Sequence, residues 1–267
     1  MKIGGGDRIL KKALGWVPLR RRVAFALRTH YFSDLGITLP LTHGLSCPVA
    51  LESEVFSFSE IFVEDLYHDL LKLGPLPSRW LDLGCHAGYF SLWLEWRRRR
   101  AEAKGESAAL LVDADARCVP GVGRLLELNH LPTWQVAHGV IAPGEGSLTF
   151  YEREVMSSSA QPGGSGHAVT VPIFDEKRIR AILPPPYDLI KVDIEGAELD
   201  FLEHYEETCR AARIILLEWH GASLGPDATK KLRARLQALG FARVDDLGPV
   251  PDPGQTDACG HLLAVRG

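Results

Sequence analysis

The segment YDLIKVDIEGAELDFLE, residues 187–203, sets Lys191, Asp193 and Glu195 two apart. On a strand that spacing puts all three on one face, with Ile190, Val192 and Ile194 on the other. Three charges on one face of a buried strand are costly unless they pair or meet a ligand. Lys191 pairing with Asp193 or Glu195 to close a polar cavity satisfies the pattern, and so does a charged ligand. A later run, IILLEWH, ends in Glu218 and His220, again two apart. An imidazole with its ordinary pKa of about 6.5 is suited to accept a proton at neutral pH. Lys191 is the rival base, and it needs desolvation to lose its proton. A metal fits Asp193, Glu195 and Glu218, but no ligand spacing demands one and none is expected.

A second constellation lies in RWLDLGCHAGYFSLWLEW, residues 79–96. An apolar strand runs through Asp82 and breaks into a loop of Gly84, Cys85, His86, Ala87 and Gly88. An apolar helix follows at once. Glycine lets a ligand approach the backbone, and a helix start offers free N–H groups. The loop is therefore expected to be bare because a ligand lies against it. The spacing is not G-x-G-x-x-G, so the pyrophosphate fingerprint of nicotinamide enzymes is not met. Asp113 ends the next strand, in LLVDADA, where an acid can accept both hydroxyls of a ribose. Asp115 competes for that role.

The elements that must carry these residues alternate. Strands are predicted at 79–84, 108–114, 133–142, 187–195 and 212–219. Helices are predicted at 88–100, 120–129, 196–208 and 227–239. Further strands fall at 147–153 and 168–174, and two strands without a helix between them, 241–247 and 260–267, close the chain. A helix is expected over 58–74, an irregular segment over 31–57 and a polar loop over 156–167, which reads as a lid or as disorder. Short apolar strands alternating with helices mean a mostly parallel sheet covered on both faces, with ligands at the strands' carboxyl ends. The final pair of strands suggests an antiparallel element.

These segments together resemble the FkbM family of S-adenosylmethionine-dependent methyltransferases. WLDLGCHAGYFSLWL is similar to the family's glycine motif, and LVDADARCVPGVGRLLELN, VTVPIFD and IILLEWH follow in order. YDLIKVDIEGAELDFLE is similar to its most specific block. Asp113 and Ala114 stand where the family has Glu-Pro, Cys85 where it has Ala, and Phe174 where Leu is common. The resemblance covers roughly residues 56–267. It implies an α/β fold: a Rossmann-like class I methyltransferase with a seven-stranded, mostly parallel sheet and an antiparallel last strand. It also implies S-adenosyl-L-methionine as cofactor and a hydroxyl of a sugar, glycan or secondary metabolite as acceptor. Cofactor-binding residues are then Asp82, Gly84, Cys85, His86 and Gly88 for the methionine part and Asp113 with Ala114 for the ribose. His138 and Gly139 border the adenine, and Asp193 and Glu195 lie at the sulfonium end. His220, Lys191 and Asp193 are the catalytic candidates. Glu60 or Tyr67 of the 58–74 segment faces the cofactor.

Composition sets the outer bounds. The chain has 267 residues, 46% hydrophobic and 24% charged, as in soluble globular proteins. No apolar run is long enough for a membrane span, and the N-terminus lacks the apolar centre of a secretory signal. Five cysteines without a CxxC pair point to reduced thiols and a cytoplasmic protein. Residues 1–30 carry a net +7, while the whole chain carries −4. That basic arm reads as a solvated or dimer-forming helix within a partly helical N-terminal extension, 1–57, preceding a methyltransferase domain, 58–267. A nucleic-acid methyltransferase is the alternative the arm allows, although no amine- or cytosine-methylation motif is present and no stable nucleic-acid partner is expected. A nicotinamide-dependent oxidoreductase is the other alternative.

Overall fold

The computed structural model describes residues 37–49, 52–152, 167–225, 227–247 and 259–267. The basic arm and the polar loop, apart from His167, lie outside them. A hairpin comes first, β1 (Ile37–Leu41) with β2 (Leu45–Val49), then a helix, α1 (Glu52–Phe58). Next come β3 (Arg79–Leu83), α2 (Tyr89–Arg100), β4 (Ala108–Asp113), α3 (Cys118–Leu128) and β5 (Trp134–His138). A separate antiparallel ribbon is made by β6 (Ser147–Glu152) and β7 (His167–Pro172). The chain continues through α4 (Glu176–Ile182), β8 (Tyr187–Val192), α5 (Glu198–His204), α6 (Glu206–Arg210) and β9 (Ala212–His220). It ends with α7 (Gly221–Leu224), α8 (Ala228–Ala238), β10 (Arg243–Leu247) and β11 (Cys259–Val265).

Seven strands form one sheet in the order β10–β11–β9–β8–β3–β4–β5. The pairs from β9 to β5 are parallel, and β11 runs antiparallel to both β9 and β10. This is the seven-stranded, mostly parallel sheet with a reversed last strand that the resemblance implies. Its central strands read as continuous apolar runs because both faces are covered. One face packs Phe201, Leu202, Tyr205, Leu232 and Leu236 from the later helices. The other packs Tyr89, Phe90, Trp93 and Leu94 of α2 against Trp80 and Trp134. Leu45, Cys47 and Val49 of the hairpin are buried in that second layer, and the Asn129 amide bonds the main chain of Ser46 in both directions.

Three local expectations are corrected. The 58–74 segment is not one helix: α1 ends at Phe58, a π-helical turn spans Ser59–Val63, and a 3-10 turn spans His68–Lys72. The break sits at Asp65, which is left-handed with φ 56°. Its carboxylate accepts from Trp93 Nε1 at 3.1 Å and pairs with Arg97, so contacts to α2 override helical periodicity. The 196–208 segment is two helices, divided at Tyr205 with φ −113° and ψ 43°. Helix α4 went unforeseen, although Asp175 caps it by accepting from the Arg178 N–H at 2.8 Å.

Tyr205 explains why the chain breaks there. Its hydroxyl reaches the Phe174 and Ala142 carbonyls at 3.0 and 2.9 Å and lies 3.2 Å from the Ala142 N–H. It therefore ties the segments after β5 and β7 to the helical layer. Tyr205→Phe leaves those main-chain groups without their partner and should lower unfolding free energy by about 1–3 kcal/mol. Denaturant unfolding of the two proteins checks this.

Candidate active site

Strands β8 and β9 are adjacent and parallel, which brings the two charged tips together. The strand expected over 187–195 ends at Val192, however, so Asp193 and Glu195 lie in the turn beyond it and not on a strand face with Lys191. Lys191 is buried, and its Nζ lies 3.0 Å from Asp193 Oδ2, 3.7 Å from Asp82 Oδ1 and 3.3 Å from the Gly84 carbonyl. Burial works against its charge, but the Asp193 and Asp82 carboxylates more than offset that and push its pKa up. Lys191 is thus a fixed cation rather than the desolvated base considered above. Asp82 is 0% exposed, and its Oδ2 accepts from Ser91, whose Oγ in turn accepts from Trp80. It braces the loop from within the protein instead of lining the edge.

At Gly84 the loop after β3 is bare because the protein itself fills the space. A Cβ on Gly84 would come within 1.6 Å of the Asp193 carbonyl oxygen, and the residue has φ 77°. The backbone of the β8 tip, not a ligand, excludes a side chain there. Gly139 is similar, since a Cβ would meet Phe174 at 2.9 Å. Cys85 is buried, and burial followed by the Asp113 charge raises its thiol pKa, so the side chain is inert and its main chain alone is available. At Gly88 the added atom would meet Leu111 and Val122 side chains at 3.3 and 3.5 Å.

The acid at the tip of β4 is held by that loop. Asp113 accepts from the His86 N–H at 2.7 Å on Oδ2 and from the Asp115 N–H at 2.8 Å on Oδ1. Burial pushes its pKa up to about 6 despite those bonds. Asp115 is occupied by Arg117, whose guanidinium it accepts from through both oxygens. The geometry therefore separates two acids that the sequence left in competition. His138 Nε2 lies 3.1 Å from the Ala114 carbonyl, and the Gly139 N–H donates to the Asp113 carbonyl. His86 Nδ1 is 3.5 Å from Ser57 Oγ on α1, and burial, with Lys191 adding to it, lowers its pKa.

The other half of the edge is acidic. His220 Nδ1 lies 2.9 Å from Glu198 Oε1, while its Nε2 is 3.6 Å from Glu195 and 4.0 Å from Glu218. Burial disfavours the imidazolium, but the Glu198 bond and the charges of Glu195, Glu198 and Asp193 raise its pKa to about 9. The ordinary value of 6.5 assumed from sequence is corrected: His220 carries its proton at pH 7 and is no ready base. Burial also lifts Glu195 to about 7 against the pull of His220. Glu218 is held below the usual carboxylate range by His261 at 3.0 Å, in spite of burial. Glu60, on the π-helical turn, is raised by burial and then by Glu218, whereas Tyr67 is buried against Phe90 and Trp93.

Two members of this edge were missed. Glu198 is 0% exposed and accepts from the Gly196 N–H as well as facing His220. Its signal was the second Glu of DIEGAE, inside the block already singled out. His261 gave no signal, because only the pairing of β11 with β9 brings it opposite Glu218.

The model of the methyltransferase FkbM domain matches residues 130–242. Over those residues the chain is similar to that family. The matched span holds β8, β9 and the whole acidic edge except Glu60 and His261, while the β3 loop and Asp113 precede it. No curated protein matches the chain. Among solved structures, an O-methyltransferase from Bacillus cereus, in complex with SAH, is similar at 12% identity, TM-score 0.47, over 92% of this chain and 97% of that one. Magnesium protoporphyrin IX methyltransferase from Synechocystis, with bound SAH, is similar at 15% identity, TM-score 0.44, over 97% and 99%. The sheet order stands on the chain's own strand pairing. Among the described residues no helix is long and apolar enough to cross a membrane.

The raised pKa of His220 makes a pH prediction. The folded state binds the proton more tightly than the unfolded chain, so the stabilisation is complete below about 6.5 and is lost as pH rises through about 9. Glu198→Gln weakens the bond that raises it. The His220 ring resonance should titrate near pH 9 in the native protein and markedly lower in the variant, as NMR would show.

Proposed function

We propose that this protein is an S-adenosylmethionine-dependent O-methyltransferase acting on a hydroxyl of a sugar, glycan or secondary metabolite. The observation that carries the reading is the Asp113 carboxylate. It sits at the carboxyl end of β4 beside the β3 loop, and each oxygen takes one backbone N–H and keeps capacity for another hydrogen bond. That donor set suits a ribose diol. The family match and the sheet order support methyl transfer rather than hydride transfer.

When bound, the cofactor's sulfonium supplies an activated methyl group. The residues of this chain then have to align an acceptor and manage one proton. The β3 loop offers its main chain to the methionine part, and His138 with Gly139 borders the base. Asp193 gives the negative field that favours a cation. Glu195 and Glu218 line the rim where an acceptor hydroxyl enters. Its proton passes to this acidic rim, because Lys191 and His220 already hold theirs.

Calorimetry with S-adenosylhomocysteine tests the reading. The expected result is 1:1 binding that falls as pH drops through about 6, since the ribose hydroxyls donate to the ionised Asp113 and protonation removes an acceptor. Asp113→Ala should cost about 1.5–3 kcal/mol of affinity. A melting shift with NAD and none with S-adenosylhomocysteine would instead support an oxidoreductase.

A further inference from the structure

We infer that Asp193, Glu195 and His220 form a binding site for a divalent cation of the manganese or magnesium class, with Glu218 beside it. One ligand atom from each of the three lies within 4.8 Å of the others. The residues come from the turn after β8 and the tip of β9, on the same side as the β3 loop. Asp193 is anchored there by its N–H on the Leu83 carbonyl at 2.9 Å.

Three features distinguish this from a cluster of acids at a surface. First, the imidazole is oriented. Its Nδ1 faces the fully buried Glu198 at 2.9 Å, which leaves Nε2 directed toward the carboxylates, where a bound ion displaces the proton that the ring otherwise holds at neutral pH. A carboxylate behind a histidine is the usual way to fix the tautomer of a metal ligand. Second, Nε2 makes no hydrogen bond among the described residues. Its separations of 3.6 Å from Glu195 and 4.0 Å from Glu218 exceed the roughly 2.7–2.9 Å of a charge-assisted hydrogen bond. Ligands about 2.0–2.1 Å from a shared ion lie roughly 3–4 Å from one another, as Nε2 and Glu195 do, and the Asp193 atom lies within 4.8 Å of both. Third, Glu195 holds its position with φ 54°, a left-handed conformation that is uncommon outside glycine. The neighbouring Gly196 donates its N–H to Glu198, so the turn and the histidine's orienting group are built together.

The donor set decides the ion class. Two carboxylates and one imidazole favour Mn²⁺, and Mg²⁺ more weakly, over thiolate-seeking ions. Asp193 gives one oxygen to Lys191 and keeps the other. Glu218 gives Oε2 to His261 and turns Oε1 toward His220. Three protein ligands leave coordination positions for oxygen atoms of a bound hydroxyl compound. The site shares Asp193 and Glu195 with the proposed sulfonium end and acceptor rim, but metal binding itself can be measured without methyl transfer.

The test uses the full chain, stripped of metal with a chelator and titrated with Mn²⁺. Free Mn²⁺ is followed by electron paramagnetic resonance, with Mg²⁺ as competitor. Saturable 1:1 binding is expected. Glu198→Gln should weaken it about 10–100-fold by releasing the histidine. Glu195→Gln should weaken it at least as much, and its side chain is exposed enough that folding is retained. Circular dichroism and S-adenosylhomocysteine binding report separately on the fold and on the cofactor site. No saturable Mn²⁺ binding by the folded native chain overturns the site, whatever the cofactor does. Binding unchanged in folded Glu195→Gln also overturns it.

Discussion

A buried lysine holds the carboxyl edge of this sheet together. Lys191 reaches Asp193, Asp82 and the Gly84 carbonyl from one ammonium group, with the Phe90 ring 5.9 Å away. Taking such charges from water is costly, and deleting one partner of a buried pair typically costs about 3–5 kcal/mol because the other is left alone. The set therefore persists as a unit. It also joins the β3 loop to the tip of β8. The Asp193 carbonyl lies where a Gly84 side chain would be, so the lysine, the acid and the glycine constrain one another. Two sequence motifs more than a hundred residues apart express this one contact.

Around that contact the edge divides by chemistry. Strands β3, β4 and β5 present main-chain groups and a carboxylate, Asp113, that is costly to ionise. Strands β8, β9 and β11 present acids interleaved with His220 and His261. The acids there cannot all be ionised without a compensating charge. The two histidines provide part of it: His261 holds Glu218 low, and His220 is itself held protonated by Glu195, Glu198 and Asp193 once burial has been overcome. A concentrated negative field at a strand edge attracts a cation, and its form, sulfonium or metal, follows from which side chains have a free oxygen.

Much of this was legible in the sequence, for physical reasons. The apolar runs of β3, β4, β8 and β9 announce strands covered on both faces. The period of two in Glu218 and His220 announces a shared face. What failed did so where tertiary contacts override local pattern. The 58–74 periodicity is helical, but Asp65 is claimed by Trp93 and Arg97 of α2. The 196–208 helix breaks because the Tyr205 hydroxyl serves two distant loops. Gly84 looked like space left for a ligand, and the place of its side chain is occupied by the Asp193 main chain. The charge of His220 was misread because a pKa depends on neighbours, and Glu198 stands 22 residues away.

The reversed last strand has a consequence at the site. A parallel β11 would bring its final residues to the carboxyl edge of β9. Running antiparallel, it brings its first residues there instead: Cys259 lies opposite His220, and His261 opposite Glu218. The imidazole of His261 thus reaches Glu218 from the neighbouring antiparallel strand. Without it, only Lys191 and His220 would offset the negative field that Glu218 shares with Glu195 and Asp193, and the acids would more readily take up protons. The strand reversal that separates this sheet from a plain dinucleotide fold therefore also helps to keep Glu218 ionised.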